Sequence, residues 1–397
     1  MDASVRPSAP MPLLVALMIS SQVAITIFLP SLPTMASDLG TSQAAVQMTI
    51  SAYLGAFALA QLVIGPLSDA FGRRRPLLVG LVLFTLASLA CAAAPNISVL
   101  ITARVFQAIG GCASIVIVRA IIRDTTDGAG STRAMAYLGM ALGVTPAVAP
   151  LVGGQLEVAF GWQASFLVTA ALGAAVTLAT LRGLQETLPP AERRTTNVRA
   201  LARTYWRLVH MPVFVGYSLS VGFTGAAFQA FLAGAPVALI VLMGVRPEAL
   251  GLYILSVPAA YVAGNYVASY LSYRVGRHTM IWIGCGLTIS GTILMVALSL
   301  AGLDTPISLI VPLAIYSFGS GFVVPNALAG GLNMVEPANA GSAAALGGFA
   351  QMGCGFASTL IVAALVQTSF LQVGAVMAAS VTVAWLCFVT LVVRRTG

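Results

Sequence analysis

A cluster of charged residues lies in one short stretch between two long apolar runs. Residues 65–78, GPLSDAFGRRRPLL, contain a single carboxylate, Asp69, and three consecutive arginines that begin with Arg73. Asp69 and Arg73 are four residues apart, so one helical turn would let the carboxylate pair with the guanidinium. Gly72 permits a tight reversal of the chain beside them, and Pro76 suits the start of the next helix. The chemistry that these residues predict is ion pairing at a tight turn.

A second charge lies inside an apolar run. Arg104, Gln107 and Gly111 are three and four residues apart, which places them on one face of a helix. An ionisable side chain within a membrane span is expensive and suggests a functional site. The alternative is an arginine near the outer interface whose long side chain reaches out to the lipid headgroups.

Groups for covalent or metal chemistry are scarce at membrane depth. None of the 11 acidic residues falls in the middle of an apolar run, and His210 and His278 fall at the edges of runs. The 5 cysteines are scattered without a CxxC spacing, which predicts packing residues rather than a metal site or disulfides. We therefore expect no enzyme activity, no cofactor and no metal.

The composition is that of a membrane protein. The 397 residues are 59% hydrophobic and 8% charged, whereas soluble domains have about 25% charged residues. A helical span takes roughly 20 apolar residues, and the chain has twelve such runs. The net charge of +8 would suggest a nucleic-acid partner in a soluble protein. Here all basic residues are arginines that fall mainly in alternate loops, so the positive-inside rule explains the charge, and we expect no nucleic acid.

The twelve runs predict an all-α polytopic membrane protein in two pseudo-symmetric six-helix halves. The predicted helices are 11–34, 44–66, 76–94, 98–122, 133–156, 162–183, 212–241, 247–272, 278–301, 306–332, 340–367 and 371–393. A basic stretch at 185–210 separates a first half at 1–184 from a second half at 211–397. We expect this linker to form a short surface helix on anionic lipid. The arginine distribution predicts that both termini are cytoplasmic.

The two halves contain related loops. The sequence GRR at 72–74, before one apolar run, aligns with GRH at 276–278 before another. In this alignment Asp69 falls on Tyr273, so the second copy lacks the acid. Chance similarity between two basic loops is the alternative. A six-plus-six repeat is typical of transporters whose substrate site lies near mid-membrane between the halves.

These motifs resemble those of a known family. The stretch from Gly65 to Gly72, with the arginines after it, resembles the loop between helices 2 and 3 that marks the major facilitator superfamily. Arg104 and Gln107 resemble the R-x-x-Q-G pattern of its helix 4, with Ala108 in place of glycine. The resemblance implies a transporter that works by alternating access.

The end of helix 4 resembles the Bcr/CflA drug-resistance branch of this superfamily. Its sequence RAIIRD contains Arg119, Arg123 and Asp124. The resemblance implies that Asp69 forms a cytoplasmic ion network with these groups, and that the network stabilises one transport state. A plain interfacial cluster of charges is the alternative. The resemblance further implies that Asp69 can face the positive start of helix 11 in the outward-open form.

Helix 5 resembles the antiporter motif G-P-x-x-G-G, with Ala149 in place of the first glycine. The motif residues and a preceding proline are Pro146, Pro150, Gly153 and Gly154. Interior prolines bend a helix, and glycines allow a neighbouring backbone to come close. Close packing without an antiport role is the alternative. With these motifs, the chain is similar to the Bcr/CflA-type multidrug efflux transporters, which implies proton-driven export at the bacterial inner membrane.

Helix 1 departs from the family pattern. Where the family has D-x-Y-L-P, this chain has Thr26 and Phe28 in place of the aspartate and the tyrosine. A buried carboxylate is the usual proton carrier in such antiporters. Proton coupling is therefore implied by the resemblance alone, and the nearest titratable candidates are Asp69 and Asp124.

The missing acid also bears on the substrate. Without it, we expect a neutral to positive cavity that favours neutral or anionic amphiphiles, such as phenicols, over quaternary cations. The predicted cavity residues are Gln22, Thr26, Arg104, Gln107, Gln229, Tyr316 and Asn326. Each could instead form a hydrogen bond between helices.

The expected partners are a small-molecule substrate, protons and the lipid bilayer, and we expect the protein to function as a monomer. The alternative function is transport of a native metabolite by the same fold, without proton coupling through helix 1. A membrane-embedded enzyme or a receptor is less favoured, because no carboxylate lies at membrane depth and no sizeable soluble domain is present.

Overall fold

The protein is all-helical in the residues that the computed structural model describes, which are 9–126, 128–193, 198–336, 339–365 and 369–396. Twelve helices are long and apolar enough to cross a membrane, which confirms the predicted fold, and no strand occurs in these ranges. We number them helix 1 to helix 12. Their bounds are Met11–Asp38, Gln43–Phe71, Arg74–Ala92, Ile97–Thr125, Arg133–Phe160, Gln163–Gly183, Pro212–Leu242, Pro247–Leu271, Arg277–Leu300, Pro306–Leu332, Ala340–Ala364 and Leu371–Val393. The predicted end of helix 11 at 366–367 and linker residues 194–197 lie outside the described ranges.

Helices 1, 2, 4 and 5 end several residues further along the chain than the sequence predicted. Helix 2 continues through Pro66 to Phe71 instead of ending at Pro66, and helix 4 ends at Thr125 instead of at residue 122. The predicted ends were wrong because a few polar residues at a helix end do not stop hydrogen bonding within the helix. As a consequence, Asp69 and Asp124 lie on helices rather than in loops, and the helix backbone fixes their positions.

Helix 1 is interrupted near its C-terminal end. Its parts are the α-helix Met11–Thr26, the 3₁₀ turn Leu29–Ser31 and the short helix Leu32–Asp38. Pro30 and Pro33 have no N–H to donate, so the regular hydrogen bonding of an α-helix stops here. The interruption places irregular backbone inside the helix bundle.

The loops alternate between two sides of the membrane. We call the side that carries Gly72 and Gly276 the near side, where both ends of the described chain also lie, and the opposite side the far side. Gly72 has a φ of +87° and Gly276 has a φ of +78°, in the left-handed region that favours glycine. These are the aligned glycines of the sequence repeat, so both halves reverse the chain in the same way at this point.

The two halves meet where helix 2 packs on helix 11 and helix 5 packs on helix 8. Polar contacts join them toward the far side. Gln47 donates from Nε2 to the carbonyl of Ala233 at 3.0 Å, and the Ser51 hydroxyl donates to Thr359 Oγ1 at 2.8 Å. The near-side part of helix 5 is more open, because a Cβ at Gly143 would meet no atom within 4 Å.

Candidate conformational switch and transport site

Arg73 is the centre of an ion network on the near side. Its Nη1 donates to the Asp69 carboxylate and, at 2.8 Å, to the Ser68 hydroxyl, and its Nε donates to Asp124 Oδ2 at 2.7 Å. The Arg73 side chain is only 3% exposed. One guanidinium therefore joins the end of helix 2 to the end of helix 4.

The two acids keep Arg73 charged. Burial alone would lower the pKa of the guanidinium, but hydrogen bonds to Asp124 and Asp69 and the charges of these acids outweigh that effect and raise the pKa. The Asp124 side chain is 12% exposed, whereas that of Asp69 is 41% exposed. The bond to Asp124 is therefore less screened by water, and we expect it to contribute more than the bond to Asp69.

Glu186, which the sequence did not identify as a site residue, supports the turn at Gly72. Its Oε1 accepts the backbone N–H of Arg73 at 2.7 Å, and its Oε2 accepts that of Arg74 at 3.2 Å. Helix 3 begins at Arg74, so the carboxylate lies at the positive end of this helix. A Cβ at Gly72 would lie 2.4 Å from Glu186 Oε2, so a larger residue would displace the acid. The position of this acid directly after helix 6 is the one feature of the sequence that could have pointed to its role.

The other two arginines of the predicted cluster lie apart from this network. Arg119 and Arg123 are exposed on helix 4, and neither forms an ion pair with another described residue. A Cβ at Gly341 would lie 3.5 Å from Arg123 Nη1. In this structure Arg123, rather than Asp69, approaches the start of helix 11.

The glycines of helix 5 allow two close contacts on the far side. A Cβ at Gly153 would lie 1.7 Å from the carbonyl oxygen of Ile27, and one at Gly154 would lie 2.5 Å from that of Pro247. One face of helix 5 therefore contacts the interruption of helix 1, and the adjacent face contacts helix 8 of the second half. The prolines of this region, Pro146 and Pro150, both lie inside the helix.

The far-side contact also contains two acids, Glu157 and Glu248, which the sequence placed at the ends of apolar runs. Helix 5 extends to Phe160 and so includes Glu157, which is 9% exposed. Glu157 Oε2, Glu248 Oε2 and the Ser31 hydroxyl are buried and have no hydrogen-bond partner in the part of the chain that the structure describes. Helix 5, helix 8 and the 3₁₀ turn of helix 1, which carry these groups, contact one another. These acids therefore lie on the elements that close the far side.

Arg104 is completely buried among the helices of the first half. Its Nη1 donates to the carbonyl of Ala24 at 2.8 Å and to Gln107 Oε1 at 2.5 Å, and Gln107 Nε2 donates to the Ser88 hydroxyl at 2.8 Å. These contacts join helix 4 to helices 1 and 3. The structure thus brings Arg104 and Gln107 together, as their spacing predicts, and their hydrogen-bond acceptors among the described residues are neutral.

Aromatic rings enclose the Arg104 guanidinium. Its Cζ lies 4.4 Å from the ring centre of Phe28, 4.3 Å from that of Tyr53 and 5.9 Å from that of Phe166. Ring faces attract a cation, so they partly replace a carboxylate. Nε and Nη2 have no hydrogen-bond partner among the described residues. If the surrounding helices parted, these two donors could bind an anion or a carbonyl oxygen.

Thr26 occupies the helix 1 position where the resemblance predicts an acid. It is 1% exposed, and its hydroxyl makes a long hydrogen bond of 3.5 Å to the carbonyl of Gln22, one turn earlier in the same helix. Gln22 itself is partly buried. The two residues lie on the same helix as Ala24, whose carbonyl binds Arg104, but neither contributes a charge.

The predicted cavity residues of the second half do not form one cluster. The Tyr316 hydroxyl donates to the carbonyl of Thr224 at 2.5 Å, which joins helix 10 to helix 7. Asn326 donates to a carbonyl one turn earlier in its own helix, at 2.9 Å. Gln229 packs against helix 11, where its Cγ would lie 3.1 Å from a Cβ at Gly355. Tyr316 is therefore a helix-to-helix contact here, as one of the two interpretations proposed.

The structure has twelve candidate membrane helices in two related halves. An ion network lies on one side, and close contacts join the halves on the other. This arrangement is that of a transporter fold. The chain matches the model of the Major Facilitator Superfamily over residues 14–359. It therefore belongs to this superfamily, and it is a transporter rather than an enzyme. Membership also makes it a multi-pass inner-membrane protein with a small-molecule substrate.

Several relatives align with nearly the whole chain. Multidrug resistance protein D of Escherichia coli (strain K12) is 33% identical over 384 residues, which cover 96% of this chain and 95% of the relative. The uncharacterised MFS-type transporter YdgK of Bacillus subtilis (strain 168) is 30% identical over 97% of this chain and 96% of its own length. A chloramphenicol resistance protein of Pseudomonas aeruginosa is 28% identical over 75% of this chain and 70% of its own. These relatives confirm the resemblance to multidrug efflux members of the superfamily.

Solved structures show the same fold at low sequence identity. A crystal structure of a D-xylose–proton symporter superposes with a TM-score of 0.76 and 14% identity, and covers 94% of this chain and 96% of that one. A partially occluded, inward-open structure of the xylose transporter XylE from E. coli gives a TM-score of 0.74 and 12% identity, over 96% and 97% of the two chains.

Proposed function

We propose that this transporter exports drug-like small molecules. The observation that carries the proposal is the alignment over 96% of the chain with the relative named multidrug resistance protein D. The relative named chloramphenicol resistance protein supports a drug substrate independently. The helix 5 motif, which resembles that of antiporters, favours export over import.

Alternating access is the proposed mechanism. Helix 5 packs tightly on helices 1 and 8 through Gly153 and Gly154 at the far side, whereas its near-side part is open around Gly143. In the proposed cycle these far-side contacts separate when the substrate leaves. The Arg73 network would then stabilise the near-side ends of helices 2 and 4 in one of the two states.

The proposed substrates are neutral or anionic amphiphiles, such as phenicols. Arg104 is buried with two donors that have no hydrogen-bond partner among the described residues, and Thr26 supplies no carboxylate in helix 1. Movement of helices 1 and 2 would uncover a positive group rather than a negative one. Gln22, Gln107, Gln229, Tyr316 and Asn326 are the proposed neutral polar residues of the same transport route.

Protons are the proposed driving ion. Asp69 and Asp124 are titratable groups of the near-side network, and Glu157 is a titratable group of the far-side contact. Proton exchange at groups whose surroundings change between the two states would couple the proton gradient to transport. Glu157 is added to the two candidates from the sequence because its Oε2 is buried and has no hydrogen-bond partner among the described residues.

The proposed orientation places the near side in the cytoplasm, with both termini. The near side carries most of the arginines, whereas Arg246 lies on the far side before helix 8. The proposed division is a first half at 1–184, a linker at 185–210 and a second half at 211–397, in a protein that acts as a monomer.

Transport into proteoliposomes with an imposed pH gradient tests the function. We expect uptake of a neutral phenicol that stops when an uncoupler removes the gradient, and little transport of ethidium. Efficient ethidium transport without phenicol transport would contradict the proposed substrate class. Uptake that does not depend on the pH gradient would contradict proton antiport but would leave the proposed drug substrate in place.

Three isosteric variants identify the proton site: Asp69→Asn, Asp124→Asn and Glu157→Gln. The variant that removes the carrier should abolish gradient-driven uptake but keep exchange of substrate across the membrane without a gradient. If all three keep gradient-driven uptake, none of these acids carries the proton.

Transport of a native metabolite is the second candidate. It is favoured by one observation: among the described residues the hydrogen-bond partners of Arg104 are neutral, and Thr26 occupies the helix 1 position where the family pattern has an acid. Uptake of neither phenicol nor ethidium by folded protein would support this candidate.

A further inference from the structure

The linker between the halves forms a short helix with two different faces. We call the helix Val198–Val209 the linker helix. Its outer face exposes Arg199, Arg203, Trp206 and Arg207, and the exposed His210 follows it, with its ring 4.2 Å from the Trp206 ring. No acid occurs between residues 198 and 210. The outer face is thus cationic and aromatic.

The inner face of the linker helix packs on the second half. Leu208 is 2% exposed and lies in one apolar cluster with Phe214 of helix 7 and Ala343 of helix 11. Two residues separate the linker helix from Pro212, where helix 7 begins. This short connection keeps the linker helix beside the near-side end of helix 7, where that candidate membrane span begins.

The same face also contacts the first half, where the described residues include a hydrogen bond to helix 2. The Tyr205 hydroxyl donates to the carbonyl of Leu62 on helix 2 at 3.0 Å. In a regular helix that carbonyl would accept the N–H of residue 66, but residue 66 is proline and has no N–H. Tyr205 therefore provides the donor that Pro66 cannot.

The surroundings of Tyr205 keep its hydroxyl protonated, so it can donate this hydrogen bond. Burial and the nearby charge of Asp69 raise the pKa of the Tyr205 phenol to about 12, so the hydroxyl remains protonated throughout the physiological range. Asp69 belongs to the Arg73 network, and Leu62 and Asp69 lie two helical turns apart on helix 2. The linker helix thus contacts helix 2 beside the proposed conformational switch.

We propose that the linker helix is a lipid-binding contact between the two halves, in which the outer arginines bind anionic phospholipid headgroups and Tyr205 holds helix 2 at Pro66. Guanidinium groups bind phosphate through paired hydrogen bonds, and tryptophan favours the membrane interface. Anionic lipid holds the linker helix in place and so stabilises the contact of Tyr205 with helix 2. Lipid binding needs no knowledge of the substrate, whereas the effect on transport rests on the proposed function.

Lipid binding is tested with the full-length protein in bilayers of phosphatidylcholine, with or without phosphatidylglycerol. The variant Arg199→Gln/Arg203→Gln/Arg207→Gln should lose its preference for phosphatidylglycerol by roughly tenfold to hundredfold, measured by native mass spectrometry of retained lipids. The matched control Arg182→Gln/Arg394→Gln/Arg395→Gln removes three other exposed near-side arginines and should keep the preference. Equal lipid retention by both triple variants would overturn the proposal.

The contact with helix 2 is tested with Tyr205→Phe, which removes the hydroxyl and keeps the ring. We expect unchanged lipid retention but faster hydrogen exchange around Leu62, together with loss of any effect of phosphatidylglycerol on transport. Tyr266→Phe, at an exposed tyrosine of helix 8, is the control and should behave as wild type. Unchanged hydrogen exchange in Tyr205→Phe would overturn the role of Tyr205. If exchange changes but no transport of any drug is found, the contact stands and the proposed function fails.

Discussion

Two arginines of this protein are almost equally buried but have opposite surroundings. Arg73 is 2% exposed and binds two carboxylates and a hydroxyl. Arg104 is 0% exposed and binds a backbone carbonyl and a glutamine, between aromatic rings. The charge of Arg73 is thus paired within the described structure, whereas the charge of Arg104 meets only dipoles and ring faces.

The difference indicates two different uses of a buried charge. Removing one partner from a buried ion pair leaves an uncompensated charge, so the paired Arg73 should matter for stability. A buried cation without a counter-ion costs free energy, and an apolar residue of similar size would avoid that cost. Arg104 is therefore best explained by a role in transport rather than in stability.

The largest effect on stability is expected for Arg73→Met. Asp69 and Asp124 would remain next to each other without a cation, and the free energy of unfolding should fall by about 3 kcal/mol. This is the low end of the range for broken buried pairs, since Asp69 is partly exposed. Thermal unfolding in detergent measures the loss. The neighbouring, exposed Arg75→Met is the control and should change stability by less than about 0.5 kcal/mol. Similar stability of the two variants would contradict the paired role of Arg73.

Arg104→Met should show the reverse pattern. Its free energy of unfolding should stay within about 1 kcal/mol of the wild-type value, because removing the buried cation offsets the hydrogen bonds that Ala24 and Gln107 lose. Transport should fall roughly tenfold to hundredfold, since the hydrogen bonds of a charged group are lost. The separate variant Arg104→Lys should transport as poorly as Arg104→Met. A compact ammonium group cannot lie flat between the rings of Phe28 and Tyr53 while it binds Ala24 and Gln107. A variant that transports normally but unfolds easily would show that Arg104 is structural.

The comparison also shows which part of the site the sequence could predict. The pairing of Asp69 with Arg73 and of Arg104 with Gln107 follows from helical spacing, because neighbours on one helix face are fixed by the backbone. Glu186 and Tyr53 could not be found in this way, since each reaches its arginine from a different helix or loop. The fold itself was predictable because long apolar runs in water-free surroundings must form helices.

The two acids of the network should differ in a further test. Asp124→Asn should lower the free energy of unfolding by about 1.5–3 kcal/mol, the usual contribution of a hydrogen bond to a charged group. Asp69→Asn should lower it by only about 0–1 kcal/mol, since this carboxylate is 41% exposed and screened by water. Added salt should reduce the smaller effect further. Denaturant titration of both variants at two salt concentrations measures the difference. Equal losses of unfolding free energy would mean that solvent exposure does not determine which of the two bonds contributes more.

A further effect, also small, concerns the turn next to Arg73. Glu186→Gln keeps an acceptor for the N–H of Arg73 but removes the negative charge at the start of helix 3, so stability should fall by about 0.3–1 kcal/mol. Glu186→Ala removes both acceptors and should cost about 0.5–2 kcal/mol, as the loss of a helix cap does. The difference between the two variants separates the hydrogen bonds from the charge. If Glu186→Gln and Glu186→Ala lose the same stability, the charge alone supports the turn, and the hydrogen bonds to the N–H groups of Arg73 and Arg74 add no measurable stability.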